Sequence, residues 1–315
     1  MTNLVVGGAG FIGSYFTENL ITTGSGRTII VDNFNTGSRE NLKSVLAGNS
    51  DSILVNCDAT NYNSLFGIVT KYKVDKIFNF ATNSLPSSLE FPAWNIENNI
   101  NLAVNACELV RYGHVEELIN ISTSEVYGTG KSSSMNEFHP TYPLTPYAAS
   151  KLSADKIVES YISAFGINAT TLRPFNNIGP RQNFNEYAGV VPLTLNRIKN
   201  NLPIIVHGDG NQTRDFIYVK ETIKCMEILL STKNYQKEVY NIGTGIETSI
   251  LDLIKLILKV VGQNDYPIKF QSPRTGDILK HKADVDKFKS FTGYAPSTLN
   301  LDNISETVEW YIKNI

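Results

Sequence analysis

Hydrophobic and polar positions along this chain follow two alternating rhythms. Short apolar runs stand at Leu4-Val5-Val6, Thr28-Ile29-Ile30-Val31, Ile53-Leu54-Val55-Asn56, Lys76-Ile77-Phe78-Asn79-Phe80, Leu118-Ile119-Asn120-Ile121 and Asn168-Ala169-Thr170-Thr171-Leu172. Between them lie longer stretches whose apolar residues recur at helical spacing. Short, nearly continuous apolar runs suit strands buried on both faces, and the stretches between suit crossover helices. The alternation predicts an α/β protein with a doubly wound parallel sheet. After about Pro174 the rhythm changes, with polar loops such as 182–186 and 208–212 between shorter elements. That change predicts a smaller C-terminal lobe. Val239-Tyr240-Asn241-Ile242 reads as a strand that rejoins the main sheet. The expected organisation is a sheet domain over 1–174 with a returning strand near 239–243, and a lobe over 175–315 interleaved with it.

The first run leads into Gly7-Gly8-Ala9-Gly10-Phe11-Ile12-Gly13, which opens onto a helical pattern reaching Leu20. Glycines at that spacing let the backbone turn sharply and bring a pyrophosphate close to a helix N-terminus, where unpaired N–H groups favour an anion. The second run ends in Asp32, where a carboxylate can bind the hydroxyls of an adenosine ribose. An acidic group there repels the extra phosphate of NADP. The sheet is therefore expected to be Rossmann-type, with NAD as cofactor; the plainer alternative is a glycine-rich turn with no ligand.

Composition narrows the class without naming it. The chain has 315 residues, 42% hydrophobic and 18% charged, with a net charge of −2. It has no bulk attraction for nucleic acid or an anionic membrane, so an anionic ligand must be held by local arginines. Cys57, Cys107 and Cys225 form neither a disulfide framework nor a zinc pattern, and a reducing cytoplasm is the expected location. No apolar stretch approaches a membrane span. His114, His139, His207 and His281 show no ligand spacing, so no metal is expected.

Chemistry is carried by Tyr147-Ala-Ala-Ser-Lys151 at the start of a helical stretch reaching Phe165. A four-residue separation puts both side chains on one helix face, where an ammonium next to a phenol is expected to lower the phenol pKa. Such a tyrosine can take a hydroxyl proton while hydride leaves the same carbon. A packing tyrosine beside a surface lysine is the alternative for the pair alone. The fifth run ends in Ser122-Thr123-Ser124-Glu125, so Thr123 can hold the same hydroxyl and Glu125 adds a carboxylate.

With these segments the chain resembles the extended short-chain dehydrogenase/reductases of the nucleotide-sugar epimerase/dehydratase family. The matching stretches are 7–13, 32–37, Cys57-Asp58, 122–128, 146–151, 173–182, 208–219 and Asn241-Ile-Gly-Thr-Gly245. The resemblance implies catalytic roles for Thr123, Ser124, Glu125, Tyr147 and Lys151. It implies NAD contacts from Gly7, Gly10, Phe11, Ile12, Gly13, Asp32, Asn33, Asp58, Ala81, Tyr147 and Lys151, with Asp58 at the adenine and Lys151 at the nicotinamide ribose. A nucleoside-diphosphate sugar is the implied substrate, bound by the C-terminal lobe through Asn177, Arg181, Val191, Arg214 and Arg274. The two arginines 214 and 274 are expected to clamp its phosphates, a task suited to a guanidinium fork. A homodimer or higher homo-oligomer is expected, paired through the helical stretches 98–110 and 152–165, for which core packing is the alternative.

The implied reaction opens with hydride abstraction from carbon 4 to give a 4-keto sugar, followed by epimerisation or 4,6-dehydration. Dehydrating relatives often carry Asp-Glu where this chain has Ser124-Glu125, while 274–284 looks more like the 4-epimerases. The loop 80–86 looks a residue shorter than usual. Net 4-oxidation, decarboxylation, reduction of a small carbonyl compound and a non-catalytic NAD-binding sensor are the competing readings. Retention of Thr123, Tyr147 and Lys151 argues against the sensor, which needs no proton donor.

Overall fold

The computed structural model describes residues 1–183, 189–273 and 277–314. The chain forms two compact units, the first from Met1–Val126, Thr145–Arg173 and Met226–Tyr240, the second from Tyr127–Leu144, Pro174–Cys225 and the residues from Asn241 onward.

The first unit is built on strands β1 (Thr2–Val6), β2 (Arg27–Asp32), β3 (Ile53–Asn56), β4 (Lys76–Asn79), β5 (Glu117–Ile121) and β6 (Ala169–Pro174). They pair in parallel in the order β3-β2-β1-β4-β5-β6, and the strand Val239–Ile242 follows β6 as the seventh. This is the doubly wound arrangement that the alternating rhythm predicts, and its strand order reverses between β1 and β4. Register aligns Ile53, Ile29, Leu4, Ile77, Leu118 and Ala169 as one row across six strands. Helices α1 (Phe11–Thr22), α2 (Lys43–Leu46), α3 (Tyr62–Tyr72), α4 (Leu85–Glu90), α5 (Pro92–Arg111) and α6 (Pro146–Phe165) complete the unit. Leu65, Ile68 and Val69 of α3, Leu102, Ala106 and Leu109 of α5, and Val158 of α6 cover the row. Each fully buried Leu or Ile there contributes about 1.5–3 kcal/mol. On the opposite face α1 packs Phe16 against Phe78 and Phe80, with ring centroids 4.6 and 5.2 Å apart.

Local sequence fixes where α6 begins and ends. The Thr145 hydroxyl accepts the Ala148 N–H at 3.1 Å, Pro146 occupies the first turn, and Gly166 ends the helix at φ +70°. The helix therefore starts one residue before Tyr147, setting the tyrosine in the first turn and Lys151 one turn on.

The second unit holds three two-stranded sheets: Asn176–Ile178 with Phe216–Tyr218, Ile204–His207 with Ile268–Gln271, and Thr213–Arg214 with Thr248–Ser249. Its apolar core joins helices Val190–Lys199, Ile250–Val261 and Leu301–Asn314 through Val191, Leu195, Leu253, Ile257, Ile304 and Tyr311. Asp215, fully buried, ties the loops together by accepting N–H groups of Thr244, Gly245 and Ala283 and the Thr244 hydroxyl.

Candidate active site

The glycine turn lies at the carboxyl ends of β1 and β4, where the strand order reverses. Gly7 has φ +76°, and a Cβ there would stand 2.6 Å from the Ala81 nitrogen; a Cβ on Gly13 would stand 2.2 Å from the Gly7 carbonyl oxygen. These two glycines are needed for close backbone approach between β1, α1 and the loop after β4. Gly10 caps α1 without a side-chain hydrogen bond. The first-turn N–H groups, at Phe11, Ile12 and Gly13, have no intrahelical partner by the geometry of a helix start.

Asp32 ends β2 beside this turn. It is 6% exposed, with Oδ2 accepting the Ala9 N–H at 2.9 Å and Oδ1 the Phe34 N–H at 2.8 Å. Burial pushes its carboxyl up, opposed by those two N–H groups. Each carboxylate oxygen keeps acceptor capacity beyond the one bond. Asn33 is exposed and accepts the Asn35 N–H, and Asp58 is exposed and accepts the Thr60 N–H and hydroxyl through one oxygen. A bare helix start, a carboxylate at the next strand end and an exposed second carboxylate form a donor and acceptor set that fits a dinucleotide.

The proton-transfer groups belong to the same unit. Tyr147 is partly buried, with the side chains of Thr123 and Thr82 as hydrogen-bond neighbours of its hydroxyl. Thr123 also accepts the Glu125 N–H at 3.2 Å, at the start of a single 3₁₀ turn, Ser124–Tyr127. Glu125 is partly buried, whereas Ser124 is 2% exposed. Lys151 is 4% exposed and donates to the Ile121 carbonyl at 2.7 Å.

The electrostatics differ from what the tyrosine-lysine spacing predicts. Burial pushes the Tyr147 phenol up to about 12, with the Thr123 bond opposing it and the Glu125 charge adding to it. The lysine is not among the groups that pull it down. Burial instead lowers Lys151 to about 8, opposed by Asp155. The physical reason is that a four-residue spacing specifies a shared face but not the depth at which that face is buried, and the ammonium is turned toward a backbone carbonyl.

Sequence reasoning missed the support beneath Tyr147. Asn99 of α5, 3% exposed, accepts the Thr82 hydroxyl at 3.2 Å and the Asn83 N–H at 2.8 Å, and donates to Ser150 Oγ at 2.9 Å. Ser150 in turn donates to the Tyr147 carbonyl at 2.7 Å. The apolar and polar pattern of α5 offers one faint signal, the asparagines Asn95 and Asn99 at helical spacing on a buried face.

The second unit holds the other residues singled out in the sequence. Asn177 donates to the Phe175 carbonyl at 3.0 Å and accepts the Thr222 hydroxyl at 2.7 Å. Arg181 has φ +66°, and Val191 is fully buried in the apolar core. Arg214 is already engaged by Asp277 at 2.7 Å and by the Thr213 and Ile278 carbonyls. A phosphate there must share the guanidinium with a carboxylate. Arg274 lies outside the described residues. Among the described residues there is no cluster of His, Cys, Asp and Glu able to hold a metal, and no helix long and apolar enough to cross a membrane.

Residues 3–243 match the model of the NAD dependent epimerase/dehydratase family. A putative UDP-glucose 4-epimerase of Methanocaldococcus jannaschii is 32% identical over 312 residues, covering 99% of this chain and 98% of that one. A dTDP-glucose 4,6-dehydratase of Actinoplanes sp. is 32% identical over 327 residues, covering 100% and 98%. The crystal structure of a UDP-glucuronic acid 4-epimerase from Bacillus cereus, in complex with UDP-glucuronic acid and NAD, superposes with a TM-score of 0.92 at 28% identity over the whole of both chains.

Proposed function

The chain belongs to the NAD dependent epimerase/dehydratase family, and from that premise we propose that it oxidises carbon 4 of a nucleoside-diphosphate sugar and then inverts that carbon. The observation that carries this reading is the pairing of the Tyr147 hydroxyl with the side chains of Thr123 and Thr82, in the unit that bears the glycine turn and Asp32. NAD, when bound, supplies a reversible hydride acceptor. The first-turn N–H groups of α1 would hold its pyrophosphate, Asp32 and Asn33 its adenosine ribose, Asp58 its adenine, Lys151 its nicotinamide ribose, and Ala81 would line the loop beside the nicotinamide.

Tyr147 and Thr123 would hold the 4-hydroxyl of the sugar, and Tyr147 would take its proton. A phenol held near 12 is protonated at neutral pH, so it needs a cation close by before it can act as a base. Lys151 is the buried cation one turn away. Inversion needs the hydride to come back to the opposite face of carbon 4 while Tyr147 would return its proton to the 4-oxygen, so epimerisation requires no further acid. Asn177, Arg181, Val191, Arg214 and Arg274 are proposed to hold the nucleotide portion of the substrate.

A second reading, 4,6-dehydration, is favoured by Glu125, a partly buried carboxylate close enough to raise the Tyr147 phenol. A 4-ketone acidifies carbon 5, and Glu125 is suited to take that proton. Elimination also needs an acid for the leaving hydroxyl. Ser124, buried at 2% exposure with an alcohol in place of a carboxyl, is a poor candidate. This favours epimerisation.

The test is incubation with UDP-, GDP-, dTDP- and CDP-sugars, with products followed by mass and NMR. Unchanged mass with inverted carbon 4 is the expected result; loss of water would replace it with dehydration. Glu125→Gln is expected to leave inversion largely intact, whereas a stall at the 4-keto sugar would mark elimination as the chemistry.

The same reading includes a homodimer formed through the exposed faces of α5 and α6. Phe165, the last residue of α6, is 56% exposed, and Tyr112, just after α5, is 58% exposed. Sedimentation showing only monomer at micromolar concentration would remove it.

A further inference from the structure

A buried ion pair lies one helical turn beyond Lys151. Asp155 and Arg173 have side chains 3% and 5% exposed, and Arg173 Nε donates to Asp155 Oδ2 at 2.9 Å. Asp155 Oδ1 is also buried, with no hydrogen-bond partner among the described residues. Taking two charges out of water costs several kcal/mol per ion, and such a pair gives little net stability against a well-packed apolar replacement. Its place in the fold suggests another use. Residues 151 and 155 lie one turn apart on one face of α6, and both are buried, Lys151 at 4% exposure.

We propose that Asp155 is a positioning residue which keeps Lys151 charged beneath Tyr147, while Arg173 keeps Asp155 ionised. The proposal rests on the functional reading above only for its consequence in turnover; the coupling itself is a property of the chain. Burial pushes the Asp155 carboxyl up, opposed chiefly by the Arg173 guanidinium. A guanidinium cannot lose its proton in a protein, so an arginine at 2.9 Å holds the carboxylate form.

Of the titratable and charged groups on the neighbouring elements, Tyr147 precedes Lys151 on α6, Glu125 follows β5 and Arg173 lies on β6. Asp155 is the group that opposes the effect of burial on the lysine. Without it the buried ammonium would lose the charge that opposes the effect of its burial. The lysine, which can lose its proton, would then do so.

The experiment is an NMR titration of the lysine Cε and Nζ resonances in the NAD-free protein, with Lys151 assigned by its loss in Lys151→Arg. The wild type is expected to titrate near pH 8 at this position. In Asp155→Asn the midpoint should fall by about one pH unit or more, as for loss of an adjacent opposite charge. Asp155→Glu should restore it, and the pH dependence of kcat/KM should move in parallel. A purely structural role would lower stability and leave the midpoint in place. If Asp155→Asn does not fold, the double variant Asp155→Asn with Arg173→Gln removes both charges of the buried pair and should show a smaller fall in the same direction. A Lys151 midpoint unchanged in a folded variant of either kind overturns the proposal. A shifted midpoint in a protein that converts no nucleotide sugar would uphold the coupling and overturn the functional reading instead.

Discussion

Removing one oxygen from Tyr147 separates chemistry from binding more cleanly than any other change. Tyr147→Phe is expected to keep the fold and NAD binding while lowering turnover by about 100-fold or more, the usual scale of general acid–base catalysis. Steady-state kinetics beside a circular dichroism spectrum would check it, and near-normal activity would take Tyr147 out of the mechanism. Lys151 allows a pH test without substrate. Burial lowers its folded value from 10.5 to about 8. Between those limits the unfolded chain binds the extra proton, so this residue's contribution to stability rises with pH. Below about pH 8 the native state carries a buried ammonium. Urea midpoints of wild type and Lys151→Met should therefore differ by a margin that moves in favour of wild type from pH 8 to 10, and a constant margin would contradict the assignment. At this scale the sequence reveals Tyr147, Lys151 and Asp32, because strand ends and helical spacing locate them. It does not reveal Thr82, Asn99 or the Ile121 carbonyl. Those partners come from a loop, a helix and a backbone orientation that meet only through tertiary packing. The direction of the phenol shift was illegible for the same reason, since spacing carries no measure of depth.

Helix starts control both halves of the chemistry in the first unit. At α1 the controlling residue is Gly13, where a Cβ would meet the Gly7 carbonyl oxygen at 2.2 Å. Gly13→Ala must push the turn open, and NAD affinity measured by calorimetry should fall at least about tenfold while secondary structure is retained. Wild-type affinity in that variant would show the turn to be dispensable. At α6 the Thr145 cap sets the register of Tyr147. Thr145→Ala should lower stability by about 1 kcal/mol in denaturant unfolding. Elements such as these were largely legible, since apolar runs mark the six strands of the first unit to within a residue or two. The short pairs of the second unit were not. Thr213–Arg214 and Thr248–Ser249 are two residues each, too short for any periodicity to register.

For the whole molecule, a ligand that binds only the native state stabilises it by mass action. At a hundredfold excess over Kd the gain is about 2.7 kcal/mol. Thermal unfolding should therefore shift upward with NAD more than with equal NADP, given the buried Asp32 at the end of β2. A larger shift with NADP would reverse the cofactor preference. The interleaved order of the chain has a further consequence, for the protein while it is being made. The first unit needs Met226–Tyr240, and β6 completes its outer edge only when Lys237 and Thr171 make their backbone bonds to Ala169 and Glu238. At about 5–20 residues per second, a ribosome takes roughly 12 to 48 s to pass from residue 1 to that stretch. Until then a growing chain exposes an open strand edge, a template for aggregation. Nascent chains halted shortly before residue 237 are the ones on which a chaperone has the most to cover.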